Sequence, residues 1–314
     1  MISYFPTFYE DELLYSLFSR YYQKTGYTTY RDAAQDLFKN MAVRPDIEFM
    51  NQLTDDALNR VKKIKPIEQV ILENTMYAYY GRFLKSDRRN NAYESLVNMT
   101  GNHRNLLLMR NNIGNGRYLR YCPLCSKEHR ELYGETYWMR IHQCSDIRLC
   151  YKHNCFLKNS NVKISGKESP SLDASELIIP ANEEPEYNQN ALEYEFTRYV
   201  IDLFVAPIDF DNNVAIGSFL HNKLAGTSYL SSRGEARKIT RLYDDFMEYY
   251  KSIGISIITE SWQLQKVFTG YRCNLADIAQ LAFFLKVPID EMIHPKITKM
   301  CLSEQFDAKI KKDA

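Results

Sequence analysis

Cys122-Pro-Leu-Cys125 and Cys150-Tyr-Lys-His153 are two C-x2-[C/H] pairs, the second beginning after 24 intervening residues. Two donors with two residues between them reach one ion from a tight turn. Two such knuckles supply the four tetrahedral positions that zinc prefers, and thiolates select zinc over hard cations. Pro123 suits a knuckle turn, and the basic residues around the pair help to hold thiols ionised. Four protein ligands leave no position open for water, so one structural zinc is expected rather than a catalytic one. Buried free thiols would not need the paired spacing. His129, His142, Cys144 and Cys155 lie close by. Cys144 and Cys155 form no pair at this spacing and read as packing or incidental thiols, and His142 as a packing or supporting residue.

Little else in the chain has the pattern of catalysis. There is no HExxH, GxSxG, P-loop or glycine-rich dinucleotide fingerprint. Glu135 and His142 could be cast as acid and base beside the ion, but a filled coordination shell argues against it. The expectation is a protein with no enzymatic activity. Cysteines number 7, an odd count, and the opening MISYFPTFYEDELLYSLFSR has no basic stretch and carries Glu10, Asp11 and Glu12 where a signal peptide is apolar. A disulfide framework is therefore a poor reading and a cytoplasmic location the expected one. No apolar run reaches the roughly 18 residues of a membrane span. Net charge is +1, so any case for nucleic acid must be local.

The elements that must carry the knuckles are mostly helical. The chain has 24 Tyr against 12 Gly, which favours packed helices over glycine-rich β architecture. Leu13, Leu14, Leu17, Phe18 and Tyr21 recur at helical spacing and Gly26 ends the run. Amphipathic stretches follow at 30–40, 54–63, 66–80 and 92–98. After the cysteine cluster, Asp173, Glu176, Glu183, Glu184, Glu186, Glu193 and Glu195 run without a Lys or Arg, broken by Pro170, Pro180 and Pro185. Such a run reads as a linker or exposed loop. Helical pattern returns at 216–224, 235–253, 262–268 and 275–285. The fold class expected is mainly α: a helical N-terminal domain (1–115), a small zinc-ribbon-like module (116–165), an acidic linker (166–198), and a C-terminal helical domain with a helix-turn-helix-like unit (199–314).

The run Arg120-Tyr-Cys-Pro-Leu-Cys125, then Tyr133-Gly-Glu-Thr-Tyr-Trp-Met-Arg-Ile-His-Gln143, then Cys150-Tyr-Lys-His153 resembles the signature of the TniQ family. That signature reads RYCPxC, a Tyr-Gly-Glu turn, YWxRxHQ and a closing CPxHG. Tyr151 stands where the family has proline, and Asn154 where it has glycine. Pro6, Glu12-Leu-Leu-Tyr-Ser16 and Arg20 are similar to the family's opening helix. Glu73-Asn-Thr-Met-Tyr-Ala-Tyr-Tyr-Gly-Arg-Phe-Leu84 is similar to a segment of its TnsD-like branch, with Ala78 in place of proline. The likeness is strong over 1–160 and looser over 215–290. It implies a target-selection protein of a Tn-type transposon, nucleoid-associated in a bacterium, not a transposase. Such a protein binds double-stranded DNA at an attachment site and recruits a TnsC-like AAA+ ATPase regulator. The alternative is an adaptor that bridges a CRISPR effector to the ATPase with little DNA readout of its own.

Candidate DNA contacts fall in two stretches. One is the flank of the knuckles, Arg117, Arg120, Lys127 and Arg130. The other is Lys223, Arg233, Arg237, Lys238 and Arg241, with Glu235 the one acid among the last four. The segment 262–268, a Gly270 turn and the helix from Leu275 then have helix-turn-helix proportions. In that unit Gln263, Gln265 and Lys266 would reach bases, and Tyr271 and Arg272 would hold phosphates. The helix from Leu275, apolar along one face, reads as support. A chain with 40 Lys and Arg residues also shows such clusters as solvated helix faces.

Overall fold

Helix α1 (Leu14–Thr25) buries Leu14, Leu17, Phe18 and Tyr21 and stops at Gly26, whose φ of 71° only glycine adopts without strain. Glu10, Asp11 and Glu12 precede the helix. The computed structural model describes residues 2, 4–107, 117–145, 147–164, 169–231, 236–253, 258–270, 273 and 275–297. The first half continues through α2 (Tyr30–Leu37) and α3 (Asp55–Ile64), whose N-termini are capped by Thr29 and Thr54. Next come α4 (Ile67–Asn74), α5 (Tyr77–Gly81), α6 (Ser86–Val97) and the single turn α7 (His103–Leu106). The expected run over 66–80 is thus two helices. Thr75 is extended, and the Met76 amide leaves the helical ladder for the Glu48 carbonyl at 2.7 Å.

The middle is a small two-stranded unit. β1 (Tyr118–Tyr121) pairs antiparallel with β2 (Lys158–Lys163), with Arg120 opposite Asn159 and Tyr121 opposite Lys158. Between them lies α8 (Pro123–Tyr133), which starts with proline, where a missing N–H costs nothing, and ends at Gly134 with φ 76°. The acidic stretch is not a free linker. Glu176, in the turn α9 (Ser175–Ile178), binds Arg130 at 2.9 Å; Glu183 accepts from the Tyr121 hydroxyl; Glu193 binds Arg148 at 2.9 Å. Helix α10 (Ala191–Val205) begins inside the segment expected to be linker. A charge run looks solvated when its partners are far away in sequence.

The second half is built on α10, α11 (Ile216–Lys223), α12 (Ile239–Tyr250), α13 (Ser261–Thr269), α14 (Leu275–Phe284) and α15 (Ile289–Ile293). Helix α14 is buried on all sides from Leu275 to Ala282, so it is a core element rather than one with a single apolar face. Helix α10 packs against α14 and α15 and touches α5, which joins the halves. Arg82 and Arg89 fasten that junction by donating to the carbonyls of Ala206, Pro207, Phe210 and Asn212. The architecture is mainly α, as expected.

Helices α11 and α13 approach so closely that a Cβ on Gly217 would lie 2.1 Å from the Phe268 carbonyl oxygen. Backbone cannot yield as a side-chain tip can. Gly217→Ala should therefore lower stability by about 1–3 kcal/mol, the cost of overpacking, measured by urea unfolding. A variant as stable as the parent would contradict the close crossing.

Candidate metal centre

The N-terminus of α8 and a tight hairpin supply the donors. Cys122 caps α8, its sulfur accepting from the Cys125 amide at 3.5 Å, so one turn of helix presents both thiols to one side. On the hairpin, Leu149 pairs with Phe156, the Cys150 amide donates to the Cys155 carbonyl at 2.8 Å, and the Asn154 amide returns to the Cys150 carbonyl at 2.9 Å. Asn154 has φ 48°. Asparagine enters the left-handed region more readily than most residues, so it makes the turn that the family's glycine makes. Tyr151, in the proline's position, is half-exposed.

Cys122, Cys125, Cys150 and His153 converge, their donor atoms all within 4.8 Å of one another, as a group that could hold a metal ion. Nδ1 of His153 lies 3.4 Å from the sulfur of Cys122, 3.3 Å from that of Cys125 and 3.7 Å from that of Cys150, and the Cys125 and Cys150 sulfurs are 3.6 Å apart. A tetrahedral ion with bonds of about 2.0–2.3 Å needs donor separations of about 3.3–3.8 Å. Hydrogen bonds from Cys125, Cys150 and Cys155 hold the Cys122 thiol well below its ordinary pKa, while the bond with Cys122 pushes Cys125 up. Sulfurs this crowded cannot all ionise without a cation among them. The donor set fits an ion.

Sequence reasoning missed one residue here and read another as incidental. Glu128 lies 3.0 Å from Nε2 of His153, a partner that would leave Nδ1 free to face an ion. Its signal was its place on α8, one turn past Cys125 and on the same face. Cys155 is the other: its sulfur lies 3.4 Å from that of Cys122. Neither His129 nor His142 is among the four converging donors. His129 stacks on Tyr137 with ring centroids 4.0 Å apart, and Nε2 of His142 lies 3.9 Å from the Cys125 sulfur.

The rest of the motif residues hold this unit to α1. The buried Arg20 guanidinium binds Glu12 at 2.9 Å and Glu135 at 3.0 Å, and lies 3.8 Å from the Tyr9 ring centre. Lys24 and the Tyr9 hydroxyl also meet Glu135. Ser16 receives the Trp138 amide at 3.0 Å, and Asp11 binds Arg140 at 2.9 Å. The Gln143 side chain bonds the Arg120 backbone in both directions at 2.9 Å, as a neighbouring strand would.

Most of the candidate DNA residues have partners within the chain. Arg117 binds Glu48 at 2.8 Å and the Tyr80 hydroxyl at 3.0 Å. Arg120 is shielded and donates to the carbonyls of Cys144 and Ile147. Arg130 meets Glu176 and the carbonyls of Ile179 and Pro180. Lys223 pairs with Glu291. Arg237 is half-buried, donating to His221 at 3.0 Å and lying 4.8 Å from the Phe268 ring centre. Gln263 completes the cap of α13, accepting from the Thr259 and Glu260 amides at 2.7 and 3.2 Å. Lys266 lies over the exposed Trp262 ring at 4.2 Å. Lys127, Lys238 and Arg241 are exposed. Arg233, Tyr271 and Arg272 lie outside the described residues.

The family model TniQ matches residues 3–157, from the approach to α1 through the last residue of the metal hairpin. These residues belong to the TniQ family. The chain is also 24% identical over 157 residues to the Transposon Tn7 transposition protein TnsD of Escherichia coli, a match that covers 49% of this chain and 31% of the relative. It thus spans about a third of that relative's length. All four converging donors, and the Arg20 network, lie within the TniQ match. Among the described residues, no helix is long and apolar enough to cross a membrane.

Removing one partner of a buried ion pair costs about 3–5 kcal/mol, so Arg20→Ala should destabilise the chain by about that much in urea unfolding. Burial would raise the Glu135 pKa, but Lys24, Arg20 and Tyr9 outweigh it and hold it below the usual carboxylate value. The sign follows. Its contribution is complete above the unfolded-state pKa and is lost as pH falls through the lower folded-state value. Glu135→Gln should flatten that acid limb; an unchanged pH profile would contradict the pairing.

Proposed function

We propose that this chain selects target sites for a Tn7-type transposon, binding double-stranded DNA at an attachment site and recruiting a TnsC-like AAA+ ATPase that brings the transposase. The observation that carries the reading is the TniQ match over 3–157, together with the likeness to a protein named for Tn7 transposition. The centre is one structural zinc on Cys122, Cys125, Cys150 and His153. Three sulfurs and one imidazole are a donor set zinc favours, and four protein donors leave no open position for a reacting water. The chain accordingly has no catalytic activity of its own.

DNA contact in this reading comes from the second half. Lys238 and Arg241, exposed at the start of α12, would meet phosphates, with Lys127 adding a contact from α8. Helices α13 and α14 would act as a helix-turn-helix-like unit, with Lys266 and the exposed Trp262 at its surface. A second reading, an adaptor between a CRISPR effector and the ATPase, is favoured by two observations. Arg117, Arg120, Arg130, Lys223 and Arg237 are spent on partners within the chain, and the exposed face of α12 continues into Asp244, Asp245 and Glu248.

Two measurements test this. Elemental analysis of the full chain should give one zinc, and Cys122→Ser should lose it with much of the fold's stability, since a structural ion contributes directly to folding. A metal-free parent would contradict the zinc assignment. In DNA binding, each lost phosphate contact lowers the slope of log affinity against log salt by roughly 0.9. Lys238→Ala with Arg241→Ala should therefore flatten it by roughly 2 while weakening all sequences alike. A parent with neither salt slope nor preferred sequence would favour the adaptor.

A further inference from the structure

The thiol of Cys155 has no place in the C-x2-[C/H] pattern, yet its sulfur lies 3.4 Å from that of Cys122, the same separation as between Cys122 and Nδ1 of His153. Both distances are those of a tetrahedral edge. Cys155 is fully buried, and its position is fixed by backbone rather than by chance packing. Its carbonyl accepts the Cys150 amide at 2.8 Å, it bridges to Tyr187, and the next amide, of Phe156, donates to the Glu186 carbonyl at 2.8 Å. The hairpin that presents Cys150 and His153 thus also sets the Cys155 thiol against Cys122.

We infer that Cys155 is a fifth donor of the metal centre, able to take the place of His153 on the ion. The inference rests on reading the cluster as a metal site. His153 is the ligand most able to leave: its side chain retains 14% exposure, whereas Cys122, Cys125 and Cys150 are at 0–2%. The exchange balances without an outside acid or base. Cys155 would hold the ion in place of Nδ1, and the proton given up by the thiol would be taken by the freed Nδ1. The imidazolium so formed is already paired, because the Glu128 carboxylate sits 3.0 Å from Nε2. Three sulfurs and a nitrogen would become four sulfurs, the added thiolate charge being offset by the imidazolium beside it. Softer ions, which prefer sulfur, would favour the second arrangement. The consequence is a centre that keeps its ion, and so its hairpin, when the one partly exposed ligand is disturbed.

X-ray absorption at the metal edge counts sulfur neighbours and tests this on the full chain. The zinc-loaded parent and Cys155→Ser should each show three sulfurs and one lighter atom. His153→Ala should still hold one ion per chain, now with four sulfurs, at an affinity within about the 10–100-fold that losing a supporting contact costs. The double variant His153→Ala/Cys155→Ser should bind weaker than either single variant and lose stoichiometric metal. Retained binding by His153→Ala with only three sulfurs, or loss of metal equal to that of the double variant, overturns the inference. The parent loaded with cadmium alone needs no substitution: four sulfurs are expected, and three with a nitrogen overturns it. A parent that binds no ion instead overturns the metal reading itself, and this inference with it.

Discussion

The buried guanidinium of Arg20, held between Glu12 and Glu135, is the constraint on which the rest of the TniQ domain depends. A cation taken out of water is stable only when its partners are in place, so the contact demands that α1 and the segment after α8 meet in one register. Once they do, Ser16 receives the Trp138 amide, Asp11 receives Arg140, and Gln143 reaches the edge of β1. That edge leads directly into Cys122. The metal hairpin is thus positioned from one side by charge pairing with α1 and from the other by the β1–β2 pair. Residues that read in the sequence as a family signature are, in the fold, the two sides of one joint.

The second half is fastened by a different chemistry. Arg82 and Arg89 clasp backbone carbonyls between α10 and α11, and α10 lies against both α5 and α14. Below that joint the helices pack through aromatic rings, with Phe196, Tyr250, Phe246, Phe283 and Phe284 in mutual contact. The abundance of tyrosine and phenylalanine relative to glycine is used here, in helix crossings rather than in strands.

The four converging donors were legible because their geometry is local: two residues between ligands is a property of a turn, and a turn is written in adjacent residues. Helix α13 and the stop at Gly270 were legible for the same reason. What the sequence hid depends on partners far away along the chain. The acids from Asp173 to Glu195 look solvated until Arg130 and Arg148 meet them, and Arg117 looks like a phosphate contact until Glu48 takes it. The break at Thr75 follows from the Glu48 carbonyl, 28 positions before Met76, capturing the Met76 amide. Cys155 was hidden because its spacing fits no pair, although the hairpin turns it toward Cys122. Among the described basic residues proposed from sequence, Lys127, Lys238 and Arg241 are the exposed ones, and nothing in their sequence neighbourhood marks them off from Arg130 or Arg237.

The division of labour proposed for the molecule, a metal-stiffened TniQ domain and a helical half that meets DNA, is tested most directly by what the full chain retains from a random double-stranded DNA library. The purified zinc-loaded protein would be incubated with the library at low and at moderate salt, and the retained fragments sequenced. A target selector enriches one motif at both salt concentrations, with total recovery falling steeply as salt rises. Recovery that mirrors the input library, at either salt concentration, would contradict DNA readout by this chain and leave its second half as a surface for a protein.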